Sequence, residues 1–228
     1  MTVRLTHATP ADAAQAEAVQ LRLRGHVRLD DSGPAPGAPG TVAGVDVAYD
    51  DGRGIVAAAA VVLDAVTLDV VEEATAVGPV AFPYVPGLLA FRELPAVLDA
   101  LGALRRTPDL VVCDGYGIAH PRRFGLASHL GVLTGLPAIG VAKNPFTFRH
   151  EPPAARRGAH TPLLDGGTEV GRALRTREGV KPVFVSPGHR TTLDSACAHT
   201  LALTPAHRLP ETTRRADRLC RAALRAAA

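Results

Sequence analysis

The spacing of apolar and polar residues changes its period partway along the chain. Three strand-like apolar runs come first, over residues 42–49, 55–63 and 67–77. The links between them read DDGRG and DAVT, which are tight-turn sequences. Links this short permit only antiparallel pairing, so the runs predict a three-stranded meander.

Helical spacing follows the meander. Apolar residues recur every three or four positions over 88–104, with Pro95 early in that helix, and again over 124–134. Short apolar runs at 110–113 and 138–141 are interpreted as buried strands. The sequence therefore predicts an α/β fold with a mixed sheet, in which an antiparallel three-strand meander is joined by parallel strands and flanked by helices.

Both ends of the chain carry further predicted elements. An Ala-rich helix over 11–24 has Thr9 or Asp12 as its N-cap, and strands over 162–176 and 181–186 surround the turn DGG. Loops are predicted at 30–41 and 149–161, and helices at 193–203 and 212–227. Because the first loop is short, we expect the whole chain to form a single domain.

Composition narrows the class of protein. Hydrophobic residues make up 46% and charged residues 21% of the 228 positions, which excludes global disorder. Cys113, Cys197 and Cys220 lack CxxC spacing, which argues against a zinc site and favours a reducing compartment. The sequence shows neither a signal-peptide pattern nor an apolar run of about 18 residues, so we expect a cytoplasmic protein that does not enter membranes.

The chain is mildly basic and its cations are almost all arginine. The formal net charge is +3 and the sequence pI is about 9.0. An Arg-rich surface explains this charge by itself, and a basic face that binds phosphates is the alternative. Only Lys143 and Lys181 are lysines, so the position of each carries more information.

Two aspartates stand out against apolar strands. Asp46 lies in the middle of VAGVDVAY, and Asp114 ends the run LVVC. A buried carboxylate is costly unless it is paired, hydrogen-bonded or bound to a metal. A half-exposed strand face for Asp46 and a turn for Asp114 are the ordinary alternatives. If the first and fourth strands are neighbours, the two carboxylates meet.

Glu93 and Asp217 are two further candidate ligands. We place Glu93 at the beginning of the helix before the Asp114 strand, where an acid could also simply favour the helix dipole. Asp217 could instead pair with Arg214 or Arg221 at helical spacing. Clustered carboxylates repel each other and need hard cations, so the sequence predicts a Mg²⁺ site, with Mn²⁺ expected to substitute.

Five strings follow one another in order along the chain. They are GVDVAY at 44–49, PYVPGLLAFRE at 83–93, DGYGIAHPRRFGLASHLG at 114–131, IGVAKN at 139–144 and VSPGHRTTLDSA at 185–196. Together they resemble the endonuclease V family of deoxyinosine-specific nucleases. The resemblance implies a ribonuclease H-like fold with divalent-metal chemistry. It implies that Asp46, Glu93 and Asp114 are catalytic metal ligands, and that Asp217 occupies a late position held by His or Asp.

The resemblance also adds His120 and Lys143 to the catalytic residues. A loop histidine beside metals can orient water, contact phosphate or relay a proton. A lysine at a sheet edge can bind phosphate or stabilise charge in the transition state. A solvent-facing surface position is the alternative for both. Asn144 departs from the serine that often follows this lysine.

The stretch PYVPG predicts a stiff loop, because two prolines restrict the backbone. A rigid turn that packs its aromatic residue into the core is one interpretation. The resemblance implies instead a wedge that fills the space left by an extruded base. The implied substrate-binding residues are Pro83, Tyr84, Val85, Pro86, Gly87, Gly115, Gly140 and Arg122. The glycines would let the backbone approach the base, and Arg122 with Arg123 would contact phosphates. His189 is expected to be structural.

The resemblance implies hydrolysis of the second phosphodiester on the 3′ side of deoxyinosine, which leaves a 5′-phosphate and a 3′-hydroxyl. The expected partner is DNA that contains deoxyinosine, bound by a monomer. A nuclease acting on inosine in RNA is one alternative. A ribonuclease H-like module that binds nucleic acid without cutting is another, although clustered acids beside a phosphate would not help a binder.

Overall fold

The computed structural model describes residues 7–227. Its strands are β1 (Thr41–Asp50), β2 (Ile55–Asp64), β3 (Val70–Pro79), β4 (Leu110–Cys113), β5 (Ala138–Ala142), β6 (His160–Asp165), β7 (Thr168–Leu174) and β8 (Val183–His189). Its α-helices are α1 (Ala13–Leu23), α2 (Leu89–Gly102), α3 (Leu126–Thr134), α4 (Leu193–Ala202) and α5 (Glu211–Ala226). The strands form one sheet in the order β3-β2-β1-β4-β5-β8-β7-β6.

The predicted meander is confirmed. β1 pairs antiparallel with β2, and β2 pairs antiparallel with β3. β3 begins at Val70 rather than at residue 67, because the Asp64 carboxylate accepts the backbone N–H groups of Val66 and Thr67 at 2.8 and 2.9 Å. Leu68 in this turn has a positive φ of 61°, which no strand residue could adopt.

The first and fourth strands are neighbours, which is the condition under which the sequence brings Asp46 and Asp114 together. β1 pairs parallel with β4, and Val45 lies opposite Cys113. Asp46 follows Val45 and Asp114 follows Cys113, so the register brings the two carboxylates to adjacent positions. β5 continues the parallel arrangement, and β8 then pairs with it antiparallel. The turn DGG joins β6 to β7, as expected from its glycines.

Helices cover both faces of the sheet. The apolar cluster on one face joins Val45 and Val111 to residues of α2 and α3, and the cluster on the other joins Val112 and Ile139 to residues of α4 and α5. A Cβ on Gly44 would lie 2.2 Å from the backbone of Thr212, so glycine permits α5 to lie directly on β1. This contact brings the polar face of α5 beside the end of β1.

Three features of α2 and α3 differ from the sequence expectations. α2 begins at Leu89, so Glu93 lies in its second turn and is buried at 9% exposure, beyond the first turn where the helix dipole acts. Pro95 lies in the interior of α2, where it leaves the carbonyl of Phe91 without its helical donor. α3 begins at Leu126 because Gly125 is extended and serves as its N-cap.

One predicted helix cap agrees with the structure, whereas one strand begins earlier than predicted. Asp12 is the N-cap of α1 and accepts the backbone N–H of Gln15 at 2.8 Å. β6 already begins at His160, at the end of the predicted loop. Within residues 7–227, no helix combines the length and the apolar character needed to cross a bilayer.

Candidate active site

Three carboxylates from different elements gather where β4 ends beside the middle of β1. Asp46 comes from β1, Asp114 follows β4, and Glu93 projects from α2. Burial and the neighbouring Asp114 raise the pKa of Asp46 to about 7. Burial, together with Asp46 and Asp114, raises the pKa of Glu93 to about 8. The three side chains therefore act on each other electrostatically, as the sequence predicted.

Hydrogen bonds orient two of these carboxylates. The hydroxyl of Tyr49 donates to Oε1 of Glu93 at 3.1 Å, and the backbone N–H of Val47 donates to Oδ1 of Asp46 at 2.9 Å. The guanidinium of Arg92 lies 4.3 Å from the centre of the Tyr49 ring, which holds that ring in place. Tyr49 thus fixes the direction in which the Glu93 carboxylate points.

Lys143 contributes the positive charge of this cluster. It follows β5 directly, and its ammonium forms an ion pair with the Asp114 carboxylate. Burial lowers the pKa of Lys143, but its interactions with Asp114, Asp46 and Asp217 together outweigh burial, and the net pKa is raised. Lys143 therefore keeps its positive charge at the sheet edge.

Asp217 approaches the same cluster from α5. Its carboxylate accepts from Nε of Arg221 at 2.9 Å, which is one of the two pairings considered from the sequence. Asp217 also contributes to raising the pKa values of Asp46 and Asp114. It therefore lies close enough to share their field while it is paired with Arg221.

The donor set fits a hard divalent cation by its chemistry. All candidate ligands are carboxylate oxygens, and burial together with the charges of neighbouring acids raises the pKa values of Asp46, Glu93 and Asp114. Within the described part of the chain, however, no group of three His, Cys, Asp or Glu side chains is arranged to hold an ion. Lys143 pairs with Asp114 in this arrangement, so side chains would have to turn toward a cation to complete its coordination.

A cavity of about 390 Å³ opens beside the carboxylates. Its lining includes the three acids and Lys143, the predicted wedge and glycine residues Tyr84, Val85, Pro86, Gly87 and Gly115, and His120. Tyr84 is 67% exposed, so it does not pack into the core as the alternative interpretation required. Pro83 is exposed in the same loop. A cavity of this size falls within the range of small-molecule pockets.

His120 holds the loop of residues 83–87, called the wedge loop below, through the carbonyl of Gly87. Its Nε2 donates to that carbonyl at 2.9 Å, and its Nδ1 accepts the backbone N–H of Arg122 at 3.2 Å. Only the neutral tautomer with a proton on Nε2 satisfies both bonds. Burial lowers the pKa of His120 to about 4, which agrees with a neutral ring. Both ring nitrogens are thus engaged within the protein, rather than left open toward phosphate or water.

The phosphate contact expected of Arg122 does not fit its placement. Its guanidinium donates to the carbonyl of Gly87 at 3.0 Å, to Glu17 at 3.1 Å and to the side chain of Gln20. These bonds turn the side chain inward, where it braces the wedge loop against α1. Arg123 pairs with Asp165 at 2.8 Å.

Gly140 also differs from its predicted role. It lies behind the cavity wall rather than in it, and a Cβ there would come within 2.5 Å of the backbone of Gly115. Its small size permits β5 to pack against the 115–117 turn. Gly87 does line the cavity, and its φ of +83° requires a residue that tolerates left-handed backbone. His189, as expected, has a structural contact, since its Nδ1 accepts the backbone N–H of Arg28 at 3.2 Å.

Sequence reasoning missed several side chains at this site. They are Gln20, Tyr49, Tyr116 and Phe146. Tyr116 stands inside the string DGYG and Tyr49 three residues after Asp46, so proximity to the acids could have marked both. Gln20 and Phe146 carry no such signal, because α1 and the segment after Lys143 reach the cavity only through the tertiary fold.

Clustered acidic side chains on adjacent central strands are typical of enzymes that cleave phosphodiesters with divalent cations. A sequence model of the Endonuclease V family matches residues 21–218. Endonuclease V of Streptomyces avermitilis is 72% identical over 226 residues, which cover 99% of this chain and 98% of that protein. The chain belongs to the endonuclease V family, and it is accordingly a nuclease.

Solved structures of the family confirm the fold. The crystal structure of the Streptomyces avermitilis Endonuclease V matches with a TM-score of 0.93 at 71% identity, covering 100% of this chain and 99% of that one. Endonuclease V of Ciona intestinalis, in complex with a 24mer DNA containing an inosine followed by a ribo-adenosine, matches with a TM-score of 0.82 at 28% identity. That match covers 94% of this chain and 98% of the other. The ribonuclease H-like architecture expected from the sequence is thus confirmed.

Proposed function

We propose that this nuclease recognises deoxyinosine in DNA and hydrolyses the second phosphodiester on its 3′ side, leaving a 5′-phosphate and a 3′-hydroxyl. The observation that carries the proposal is the arrangement of Asp46, Glu93 and Asp114 along the wall of a cavity of about 390 Å³, which has room for a purine base. The Ciona intestinalis relative supports the substrate, because it binds DNA that contains an inosine.

Asp46, Glu93 and Asp114 would hold Mg²⁺, with Mn²⁺ as a substitute and Asp217 as a further ligand. The oxygen-only donor set and the mutual repulsion of these acids support that assignment. The cation supplies Lewis acidity and charge neutralisation when it is bound.

Lys143 is the protein's own cation at the cleaved bond. Its ammonium, held by Asp114, can bind a non-bridging oxygen of the phosphate and stabilise the added charge of the transition state. Water forms a new bond to phosphorus, the bond to the 3′ oxygen breaks, and a proton ends on that oxygen. The products are a 3′-hydroxyl and a 5′-phosphate.

The wedge loop separates the lesion from its stack. Tyr84 is exposed at the tip of a loop that Pro83 and Pro86 stiffen, so it can fill the space left by an everted base with little loss of order. The base enters the cavity, where backbone at Gly87 and Gly115 can read its edge. His120 acts here as a positioning residue, since it holds the Gly87 carbonyl.

A denaturing gel tests the proposal. An end-labelled oligonucleotide with one deoxyinosine should be nicked at the second 3′ phosphodiester with Mg²⁺ and not with EDTA. Asp46→Ala should lose cleavage but retain binding. Asp50→Ala, on the same strand but paired with Arg53, is the matched control and should cut normally. Tight binding without any nick in Mg²⁺ or Mn²⁺ would make the protein a binding module instead.

Inosine-containing RNA is the second candidate substrate. The DNA bound by the Ciona intestinalis relative carries a ribo-adenosine after the inosine, which favours a site that tolerates a 2′-hydroxyl at that position. Matched DNA, RNA and single-ribonucleotide oligonucleotides, compared by kcat/KM, decide between the two substrates. Faster cleavage of the RNA would replace DNA as the primary substrate.

A further inference from the structure

We infer that Phe146 is a base-binding residue whose ring stacks on the everted hypoxanthine. The inference rests on the proposed function, since it names a contact with the same substrate. Phe146 belongs to none of the strings that carry the family resemblance. It stands three residues after Lys143, so one short segment would present both a cation to the phosphate and an aromatic face to the base.

Phe146 is exposed although its side chain is large and apolar. Its exposure is 46%, and it lines the same cavity as Tyr84 and His120. Covering a solvent-exposed aromatic ring with a planar apolar surface lowers the free energy. A purine is such a surface, and base stacking on aromatic rings tolerates any base. Selectivity for hypoxanthine would therefore come from the cavity edge, and affinity from the ring.

Two neighbouring rings orient Phe146. Its centroid lies 5.9 Å from that of Tyr116 and 6.3 Å from that of His120, with interplanar angles of 33° and 31°. These angles are closer to offset stacking than to edge-on contact. These contacts set the plane of the Phe146 ring at the cavity wall, where a base that enters the cavity would stack on it.

Hydrogen bonds to the backbone hold the chain before Phe146, and a ring contact holds it beyond Phe146. The hydroxyl of Tyr116 donates to the carbonyl of Asn144, and the guanidinium of Arg208 donates to the carbonyl of Lys143. Beyond Phe146, the ring of His150 packs on Phe184 at 5.0 Å. The ring is therefore carried by a segment that is already ordered, so a bound base gains contact with little ordering cost.

Substitutions separate stacking from general packing. We expect Phe146→Ala to weaken binding of the inosine oligonucleotide about 10- to 100-fold. Phe146→Leu keeps apolar area without an aromatic face and should be intermediate. Phe148→Leu is the matched control, because Phe148 lies on the same segment but packs against the cluster of Ala142 and Phe184. Binding of the undamaged oligonucleotide should not change, and thermal midpoints check that each variant is folded.

A fluorescence measurement reports the stacking directly. The chain contains no tryptophan, so Phe146→Trp introduces a single tryptophan, which can be excited selectively over the three tyrosines. In an Asp46→Asn background, which prevents cleavage, the inosine oligonucleotide should quench this tryptophan to saturation. The matched adenine oligonucleotide should not, and a Phe148→Trp control should respond to neither.

The outcomes distinguish the two proposals. If the unsubstituted protein nicks the inosine oligonucleotide but Phe146→Ala binds it as tightly as Phe148→Leu does, only the stacking inference fails. Equal quenching by both oligonucleotides would place Phe146 against the duplex and also overturn it. If the unsubstituted protein neither binds nor nicks the inosine oligonucleotide, the proposed function fails, and the inference fails with it.

Discussion

The Asp46 carboxylate is disfavoured by its own surroundings in the folded chain. Burial and Asp114 raise its pKa to about 7, which means that the folded chain destabilises the ionised carboxylate. We expect Asp46→Asn to abolish cleavage yet stabilise the metal-free protein by about 1–2 kcal/mol, because one repelling charge is removed. Thermal unfolding in EDTA measures this, with Asp50→Asn as a control that should not stabilise. Mg²⁺ should raise the wild-type midpoint more than that of Asp46→Asn, and equal responses would contradict the metal assignment.

His129 gives the protein an expected sensitivity to acid. Its Nε2 lies 2.8 Å from Nε2 of His7, and its Nδ1 has no hydrogen-bond partner among residues 7–227. Burial and His7 lower the pKa of His129 from 6.5 to about 3. The unfolded chain thus takes up a proton below pH 6.5 that the folded chain refuses, and stability falls as the pH drops through this window.

The expected slope from His129 is about 1.4 kcal/mol per pH unit below 6.5. His129→Leu should flatten the loss of unfolding free energy between pH 6.5 and pH 4.5, whatever its effect at pH 7. His160→Gln, a change at an exposed histidine, should leave the slope unchanged. Denaturant unfolding at several pH values checks this, and parallel curves for His129→Leu and the wild type would contradict it.

Among the elements, α1, the wedge loop and the segment before α3 meet at one carbonyl oxygen. Gly87 accepts from Gln20, His120 and Arg122 at 3.0, 2.9 and 3.0 Å. A carbonyl with this many donors holds its loop in one position. The junction explains how a loop without regular structure can hold Tyr84 in an exposed position.

Arg122→Ala tests whether this arginine braces the loop or binds phosphate. Because its bonds are internal, we expect a loss of about 1–3 kcal/mol in the free energy of unfolding. Affinity for the inosine oligonucleotide should fall, while the salt dependence of binding stays unchanged. Arg123→Ala, which removes an exposed pair with Asp165, is the neighbouring control and should change stability little. A shallower salt dependence for Arg122→Ala would show that Arg122 does contact phosphate.

The strand pattern predicted the central elements because their positions depend on local spacing. Turns too short for a crossover fixed the meander, whereas the adjacency of Asp46 and Asp114 depended on the further condition that the first and fourth strands are neighbours. The roles of Arg122 and Gly140 depended on which segments surround them, and no local pattern contains that. Phe146 escaped for the same reason, since its segment has no periodicity and reaches the cavity only by following β5.

Over the whole molecule, two clefts share Lys143. One is the base cavity, and the other, of about 420 Å³, runs along α5. The second cleft is lined by Lys143, Leu209, Thr213, Arg214, Asp217, Arg218, Arg221 and Arg225. Its cations outnumber its single acid, so the modest net charge of +3 is distributed unevenly. This distribution favours a nucleic-acid backbone that passes from the base cavity along α5.

Arg218 and Arg225 are the arginines that test this path. Both are exposed, and in the described part of the chain neither is held by an ion pair, whereas Arg214 and Arg221 are paired with acids. Each phosphate contact contributes about one to the slope of log affinity against log salt. We therefore expect the Arg218→Ala, Arg225→Ala double variant to reduce that slope by about two. Inosine and undamaged oligonucleotides should be affected alike, because phosphates carry no sequence information. Arg105→Ala, at the far end of α2 beside Glu72, should leave the slope unchanged, and an equal slope for the double variant would place the nucleic acid elsewhere.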